Sequence, residues 1–301
     1  RSSRNSGIRD TVTLTTQNQL QQTLPSPSRE YRPNLPWGDY LQVPKPASTC
    51  RILSLNVNGI PSQLLHDRTT SDYHHKLRWK QMDAKQIDVG CYSELNLDWS
   101  YPNVRYLFHR HLQDFCPGMN SVESDSAIRY NRAFKPGGTA TVTTAAWTTR
   151  IAGTFRDKYG RWSGCTYRGL EGYLCHIITV YQPTYSDPST HFLSAYAQQR
   201  SMFLSEGRDV FDSRRNFQSD LVDFLSTLSN DRSGIILCGD FNSNSRTPTN
   251  RLHQALSSLG LVDIHEYQHP SLPPTHTWQR GNDQIDCFLI TGNLIPYVKA
   301  A

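Results

Sequence analysis

The chain has 301 residues, 37% hydrophobic and 19% charged, which is enough apolar mass for one large core and too ordinary a charge content for wholesale disorder. Its formal net charge of +5 suits a polyanionic partner without requiring one, because residues 1–49 hold six basic and three acidic side chains and leave the remainder at only +2. No apolar run approaches the ~20 residues needed to cross a bilayer, and the seven cysteines form no CxxC pair, so no membrane span and no zinc site are expected.

Residues 1–48 are rich in Ser, Thr, Gln and Pro and are expected to be a disordered leader or linker, since they cannot bury enough surface to offset chain entropy. One ordered domain is expected from residue 49 to 301. Arg51 to Val57 reads as a strand ending at the turn signal Asn58-Gly59. Residues 73–87 read as a helix, and Ile87 to Tyr92 as a buried strand running into Ser93-Glu94. Residues 99–132 read as irregular. Gly137-Gly138 opens a strand over Thr139 to Thr144, and a strand pair follows Arg161-Trp162-Ser163, its second member being Leu174 to Tyr181. Residues 189–205 and 216–229 read as helices. Ile235 to Cys238 is a short apolar strand that leads straight into Gly239-Asp240-Phe241-Asn242. Asn250 to Leu259 reads as a helix stopped by Gly260, Ile285 to Ile290 as a strand, and Ile295 to Val298 as a last strand. Strands and helices are interspersed without a repeat, and several strands lack a helix between them. This predicts an α/β domain with mixed sheets.

One pattern recurs along the chain: an apolar strand ends and an acid or amide sits at its exit. Asn56 and Asn58 follow Ile52-Leu53, Glu94 follows Val89-Gly90-Cys91, Asp240 and Asn242 follow Ile235 to Leu237, and Asp286 adjoins Ile285. Strand ends of a rigid sheet hold convergent polar groups accurately, and hard divalent cations take oxygen donors of this kind. Each instance alone reads equally well as a turn or a solvated rim. Their order and shared position carry the signal. The cysteines Cys50, Cys91, Cys116, Cys165, Cys175, Cys238 and Cys287 lie mostly in strand-like runs and are expected to be reduced core thiols of an intracellular protein.

The motifs Leu55-Asn56-Val57-Asn58-Gly59, Tyr92-Ser93-Glu94-Leu95, Gly137-Gly138-Thr139-Ala140, Tyr181-Gln182-Pro183-Thr184, Cys238 to Ser243 and Gln284 to Leu289 together resemble the endonuclease/exonuclease/phosphatase superfamily. The resemblance spans residues 50 to 290. It implies a four-layer α/β sandwich of two mixed β-sheets flanked by helices, and Mg²⁺- or Mn²⁺-assisted phosphoester hydrolysis. It further implies that Glu94 is the main metal ligand and that Asn58, Asp240 and Asn242 stand close to the metal. Asn58 stands where many members carry an acid. By the same resemblance Asn56 orients metal water or the Asp240 carboxylate, and Asp240 positions or deprotonates the attacking water. Asn242 is implied to donate to phosphoryl oxygens, Tyr181 to contact the phosphate, and Asp286 to orient a catalytic histidine.

The family's closing Ser-Asp-His motif has no counterpart here: Cys287 to Ala301 contain neither histidine nor acid. The expectation is a chain cut short before that motif and nearly inactive as it stands. Gly160 to Ser163, Lys135 to Ala140 and Thr275 to Trp278 are most similar to endonuclease domains of non-LTR retrotransposons. That likeness implies a nuclear DNA endonuclease followed by a reverse transcriptase on one polypeptide. An RNA deadenylase-like hydrolase and an inactive nucleic-acid-binding remnant are the competing readings. Trp162 and Trp278 are read either as wedges at DNA or as packing at a sheet rim, and the Arg246-Thr247-Pro248 loop either as a phosphate contact or as solvated. His109, His111, His265, His269 and His276 show no ligand spacing and are read as surface or rim groups.

Overall fold

The computed structural model describes residues 44–46, 48–60, 82–101, 103–115, 117–129, 133–191, 193–208, 212–271, 277 and 283–299. The leader over residues 1–43, most of the helix expected at 73–87, and Cys116, His276 and Trp278 lie outside these residues. Among the described residues no helix is long and apolar enough to cross a membrane.

Two mixed sheets form the body. The first has strand order β1-β2-β4-β3, with β1 (Ile52–Asn56) parallel to β2 (Val89–Ser93), and β4 (Thr139–Thr143) antiparallel to both β2 and β3 (Asn120–Ser124). The second runs β5-β6-β7-β8-β10-β9: Ile151–Arg156, Trp162–Arg168, Leu174–Tyr181, Ser233–Asp240, Asp286–Thr291 and Leu261–Asp263. Only β7 and β8 pair in parallel; the other neighbours are antiparallel.

The layers follow from which face of each element is apolar. Val89, Cys91 and Val122 of the first sheet meet Cys165, Tyr167, Ile177 and Cys238 of the second, forming the central core. The outer face of the first sheet is covered by α1 (Val104–Phe115) through Val104, Phe108 and Leu112, each about 1% exposed. The outer face of the second is covered by α4 (Ser213–Leu228) through Phe217, Leu221 and Leu225, and by α5 (Arg251–Ser258) through Leu252 and Leu256. Between α1 and α4 the chain forms the short α2 (Ala145–Thr148) and α3 (Ala195–Ser205), and α6 (Ile264–Gln268) follows β9. Asp212, Asn250 and Asp263 cap α4, α5 and α6 by accepting from the first free backbone N–H groups.

The interface between the sheets is not wholly apolar. Thr141 Oγ1 lies 2.6 Å from Thr179 Oγ1, Thr143 Oγ1 lies 2.6 Å from the Tyr167 hydroxyl, and Thr139 Oγ1 donates to Ser163 Oγ at 3.0 Å. These hydroxyls are buried and satisfy one another, so they fix the spacing of the sheets at no unpaired cost.

Several sequence expectations require correction. Residues 99–132 are not irregular: they contain α1 and β3. In α1 the apolar positions recur every four residues but are interleaved with Arg105, His109 and His111, which hid the stripe. β3 is nearly all polar, and it survives burial because Ser121, Glu123 and His109 bond one another. The edge strand β5 was not foreseen at all. No strand forms over Ile295 to Val298. Residues Gly292–Tyr297 are a 3₁₀ helix containing Pro296, and Asn293 ties it to the Ser233 carbonyl. Trp162 is 6% exposed and stacked on Phe224 at 5.5 Å, so it packs in the core and is not a DNA wedge. The six described cysteines are free thiols.

Gly239 shows how closely β8 approaches β7. Its φ is +139°, and a Cβ there would stand 2.1 Å from the Val180 carbonyl oxygen. Gly239→Ala is therefore expected to lose about 3 kcal/mol or more of stability, from backbone strain and overpacking combined. Urea unfolding checks this; a midpoint matching the wild type would contradict the close approach.

Candidate active site

Both sheets present strand ends at one edge. Asn56 closes β1, and Glu94 follows the last residue of β2, Ser93, which pairs with Asn56. On the second sheet Tyr181 is in register with Asp240, and Asp240 with Asp286, so a phenol and two carboxylates form one row across β7, β8 and β10. The row faces the first sheet. Asn56 Nδ2 donates to Asp240 Oδ2 at 2.8 Å across the gap between the sheets. Asn56 Oδ1 accepts from the Asn58 amide at 2.9 Å, so both ends of the Asn56 side chain are used and its orientation is set.

The exits are tight turns, with Asn58, Glu94, Asn96 and Asn242 all at positive φ (44° to 57°). Asn tolerates this region better than most residues, which accounts for the density of asparagines here. For Glu94 the conformation is costly, and it is held by hydrogen bonds: the Gly59 N–H donates to the Glu94 carbonyl, and Ile60 to that of Leu95. Asp240 Oδ1 accepts the Asn242 N–H at 2.8 Å, closing a turn over Phe241.

Asn56, Glu94, Tyr181, Asp240, Asn242 and Asp286 are thus brought to one edge of the sandwich. Asn58 lies there too but is exposed. Asn242 also serves the scaffold. Its Nδ2 donates to the Gln182 carbonyl at 2.8 Å, holding the β7 and β8 exits together and leaving one N–H for another acceptor. Asp286, for which the resemblance implies a histidine partner, is hydrogen-bonded to Thr277. Arg246 is half-buried, its amide bonded to Asn244, and His109 is engaged by Glu123.

Sequence reading missed Asn96, Arg214 and Lys135. A cleft runs from Asn58, Glu94 and Asn96 past Gly137 and Tyr181 to Ser194 and Tyr196. Asn96 Oδ1 accepts the Gly137 N–H at 2.7 Å and so joins the two walls. No strand alternation could have signalled it, because Glu94 and Asn96 both leave the extended conformation beyond Ser93. Lys135 is 1% exposed and ion-paired to Asp98 at 2.9 Å and Asp125 at 2.7 Å, which anchors the Pro136-Gly137 wall from behind. Arg214 donates to the Asn242 carbonyl at 2.8 Å behind the Asp240 turn.

The electrostatics are those of crowded acids. Burial first, then the neighbouring Asp286 and Glu94, push Asp240 up to about 7 against the lowering effect of Asn242 and Asn56. Burial, with Glu94, pushes Asp286 up to about 6 although Thr277 opposes it. Burial and the Glu94 and Asp240 carboxylates drive the Tyr181 phenol well above its ordinary value. The hydroxyl therefore stays protonated, and it is hydrogen-bonded to Glu94. These shifts mark an excess of negative charge that a cation would relieve. The donors fit a hard divalent ion held by Glu94 and amide oxygens with water completing the shell. Among the described residues no three His, Cys, Asp or Glu groups converge into a full protein cage.

The raised Asp240 value has a consequence for stability. An unfolded aspartate ionises near 3.9, whereas the folded one holds its proton to about 7. Between these values the folded state binds more protons, so this contribution is complete below about pH 4 and is lost as pH rises through about 7. In chelator, Asp240→Asn is expected to match the wild type near pH ~4 and to exceed it above pH ~8 by on the order of 2 kcal/mol. Thermal unfolding across pH measures this, and parallel profiles would show that Asp240 is not held in a charge-crowded site.

No protein-family model matches the chain, and no curated protein sequence matches it. Solved structures do. The AP endonuclease LMAP from Leishmania major aligns over 83% of this chain and 80% of its own at 15% identity, with a TM-score of 0.52. The human Nocturnin catalytic domain, solved with a bound sulfate anion, aligns over 81% of this chain and 83% of its own at 16% identity, with a TM-score of 0.50. At such identities the likeness is one of fold, and it coincides with the two mixed sheets and their helical covers. This chain has the endonuclease/exonuclease/phosphatase fold.

Proposed function

We propose that the protein is a metal-dependent phosphodiesterase that cuts DNA, an endonuclease of the retroelement type. The observation that carries the reading is the row Tyr181–Asp240–Asp286 at one sheet edge, bonded through Asn56 to the other sheet and facing Glu94. The DNA substrate, the nuclear setting and an accompanying reverse transcriptase rest on the motif resemblance, and the fold likeness to an AP endonuclease supports the nuclease class.

Glu94 with Asn58, and on the other wall Asp240 and Asn242, would hold Mg²⁺ or Mn²⁺. When bound, such an ion neutralises charge on the phosphoryl oxygens. The remaining work falls to the protein. Asp240, oriented by Asn56 and the Asn242 amide, accepts a proton from the attacking water. The new bond forms between the water oxygen and phosphorus, and the bond to the leaving sugar oxygen breaks. The protonated Tyr181 phenol and the free N–H of Asn242 donate to the oxygens on which charge grows. By the motif resemblance Asp286 orients a catalytic histidine, and the leaving oxygen gains from solvent a proton equivalent to the one Asp240 accepts, so the step balances.

The assay uses the chain with a Ser-Asp-His segment appended, with supercoiled plasmid as substrate and poly(A) as comparison. Plasmid nicking that requires Mg²⁺ is expected. Glu94→Gln and Asp240→Asn should each lower it by at least ~100-fold, the scale of one lost transition-state contact. Unchanged nicking in both variants would reject the site, and preferential degradation of poly(A) would move the substrate from DNA to RNA.

A further inference from the structure

Beyond the reacting groups, the cleft ends at an aromatic pair. Tyr196, on the first turn of α3, lines it together with Glu94, Tyr181 and Thr184. Tyr196 is 5% exposed, and its carbonyl accepts the Ser213 hydroxyl at 2.9 Å, which seats it on α4. Against it stands Tyr185, edge-on with ring centroids 5.2 Å apart. Tyr185 is 69% exposed, among the most exposed large hydrophobic side chains in the described residues.

The segment carrying Tyr185 is not a loose loop. At one end the Gln182 N–H donates to the Asp240 carbonyl at 2.9 Å, so the segment leaves directly from the catalytic row. At the other, Ser186 Oγ lies 2.5 Å from Ser194 Oγ, the N-cap of α3. Asp187 accepts from Ser189 and from the His191 N–H and shapes the return. Pro183 removes further freedom. The ring is thus held out to solvent from a segment pinned on both sides, with a second aromatic behind it. Arg200, one turn along α3, stands near enough for its charge to act on the Tyr196 phenol. An exposed ring backed by a second aromatic, on a pinned segment continuous with a cleft that would take a phosphodiester, has the composition of a base-stacking platform.

We propose that Tyr185, backed by Tyr196, stacks on a nucleobase of the strand being cut, next to the scissile phosphate. This rests on the phosphodiesterase reading of the cleft and adds to it a local preference for an unstacked base. Stacking on one aromatic ring contributes about 1–3 kcal/mol per base and tolerates any base, because every base has a π-face.

The test is equilibrium binding, in Ca²⁺ in place of Mg²⁺ to suppress turnover, of a short single-stranded oligodeoxynucleotide carrying a fluorescent purine analogue walked along the strand. The wild type and Tyr185→Phe are expected to bind alike and to quench the analogue at one position. Tyr185→Ala is expected to bind roughly tenfold or more weakly and to lose that quenching, with an unchanged melting profile because the side chain is mostly solvated. If wild type binds and Tyr185→Ala binds and quenches equally, the stacking proposal is wrong while the phosphodiesterase reading stands. If wild type binds no oligonucleotide at all, the stacking proposal falls, while the phosphodiesterase reading is decided by plasmid nicking.

Discussion

The hydrogen bond from Asn56 Nδ2 to Asp240 Oδ2 spans the two sheets at the edge where the candidate active site lies. Its geometry requires that β1 and β8 end at the same height and at a fixed separation. That separation is set deeper in the sandwich by the hydroxyl contacts between Thr141 and Thr179 and between Thr143 and Tyr167. A wholly apolar interface would pack as well but slide more easily. Paired hydroxyls in a low-dielectric interior resist sliding, since each displaced group would be left buried and unbonded.

On that frame the site holds groups that repel one another. Asp286 and Glu94 raise the affinity of Asp240 for protons, Glu94 raises that of Asp286, and Glu94 and Asp240 do the same to Tyr181. The body of the domain offsets this cost elsewhere. Lys135 pairs with Asp98 and Asp125 under one wall of the cleft, and Arg161 pairs with Asp157 and Asp220 under the sheet. These buried cations are each paired with two carboxylates, so they hold loops without adding unpaired charge. Rigidity surrounds the site and electrostatic tension sits within it, which is the arrangement expected when preorganised groups await a cation and an anionic substrate.

The legibility of the site in the sequence depended on how local each signal was. Gly239-Asp240-Phe241-Asn242 was readable because a buried strand and the turn that ends it are contiguous, and the same holds for Glu94 after β2. Asn96 and Gly137 were not readable as one contact, because their hydrogen bond joins segments 41 residues apart. α1 was lost among its charged and histidine neighbours, and β3 because its burial rests on a bonded polar cluster and not on apolar alternation. The 3₁₀ helix at Gly292–Tyr297 replaced an expected strand because composition records β propensity but not whether a partner edge is present.

What the sequence by itself determined is the set of strand exits, the residue types placed on them and the resemblance those make in order. Strand propensity and turn chemistry are properties of short segments, so they survive without the fold. Only the tertiary structure decided that Tyr181, Asp240 and Asp286 lie in one register row, that Asn56 reaches Asp240 from the other sheet, that one amide N–H of Asn242 serves the scaffold, that Trp162 is core, and that Tyr185 is held outward. Each depends on inter-strand register and inter-sheet spacing, and those are set by contacts between residues up to 184 positions apart in the chain.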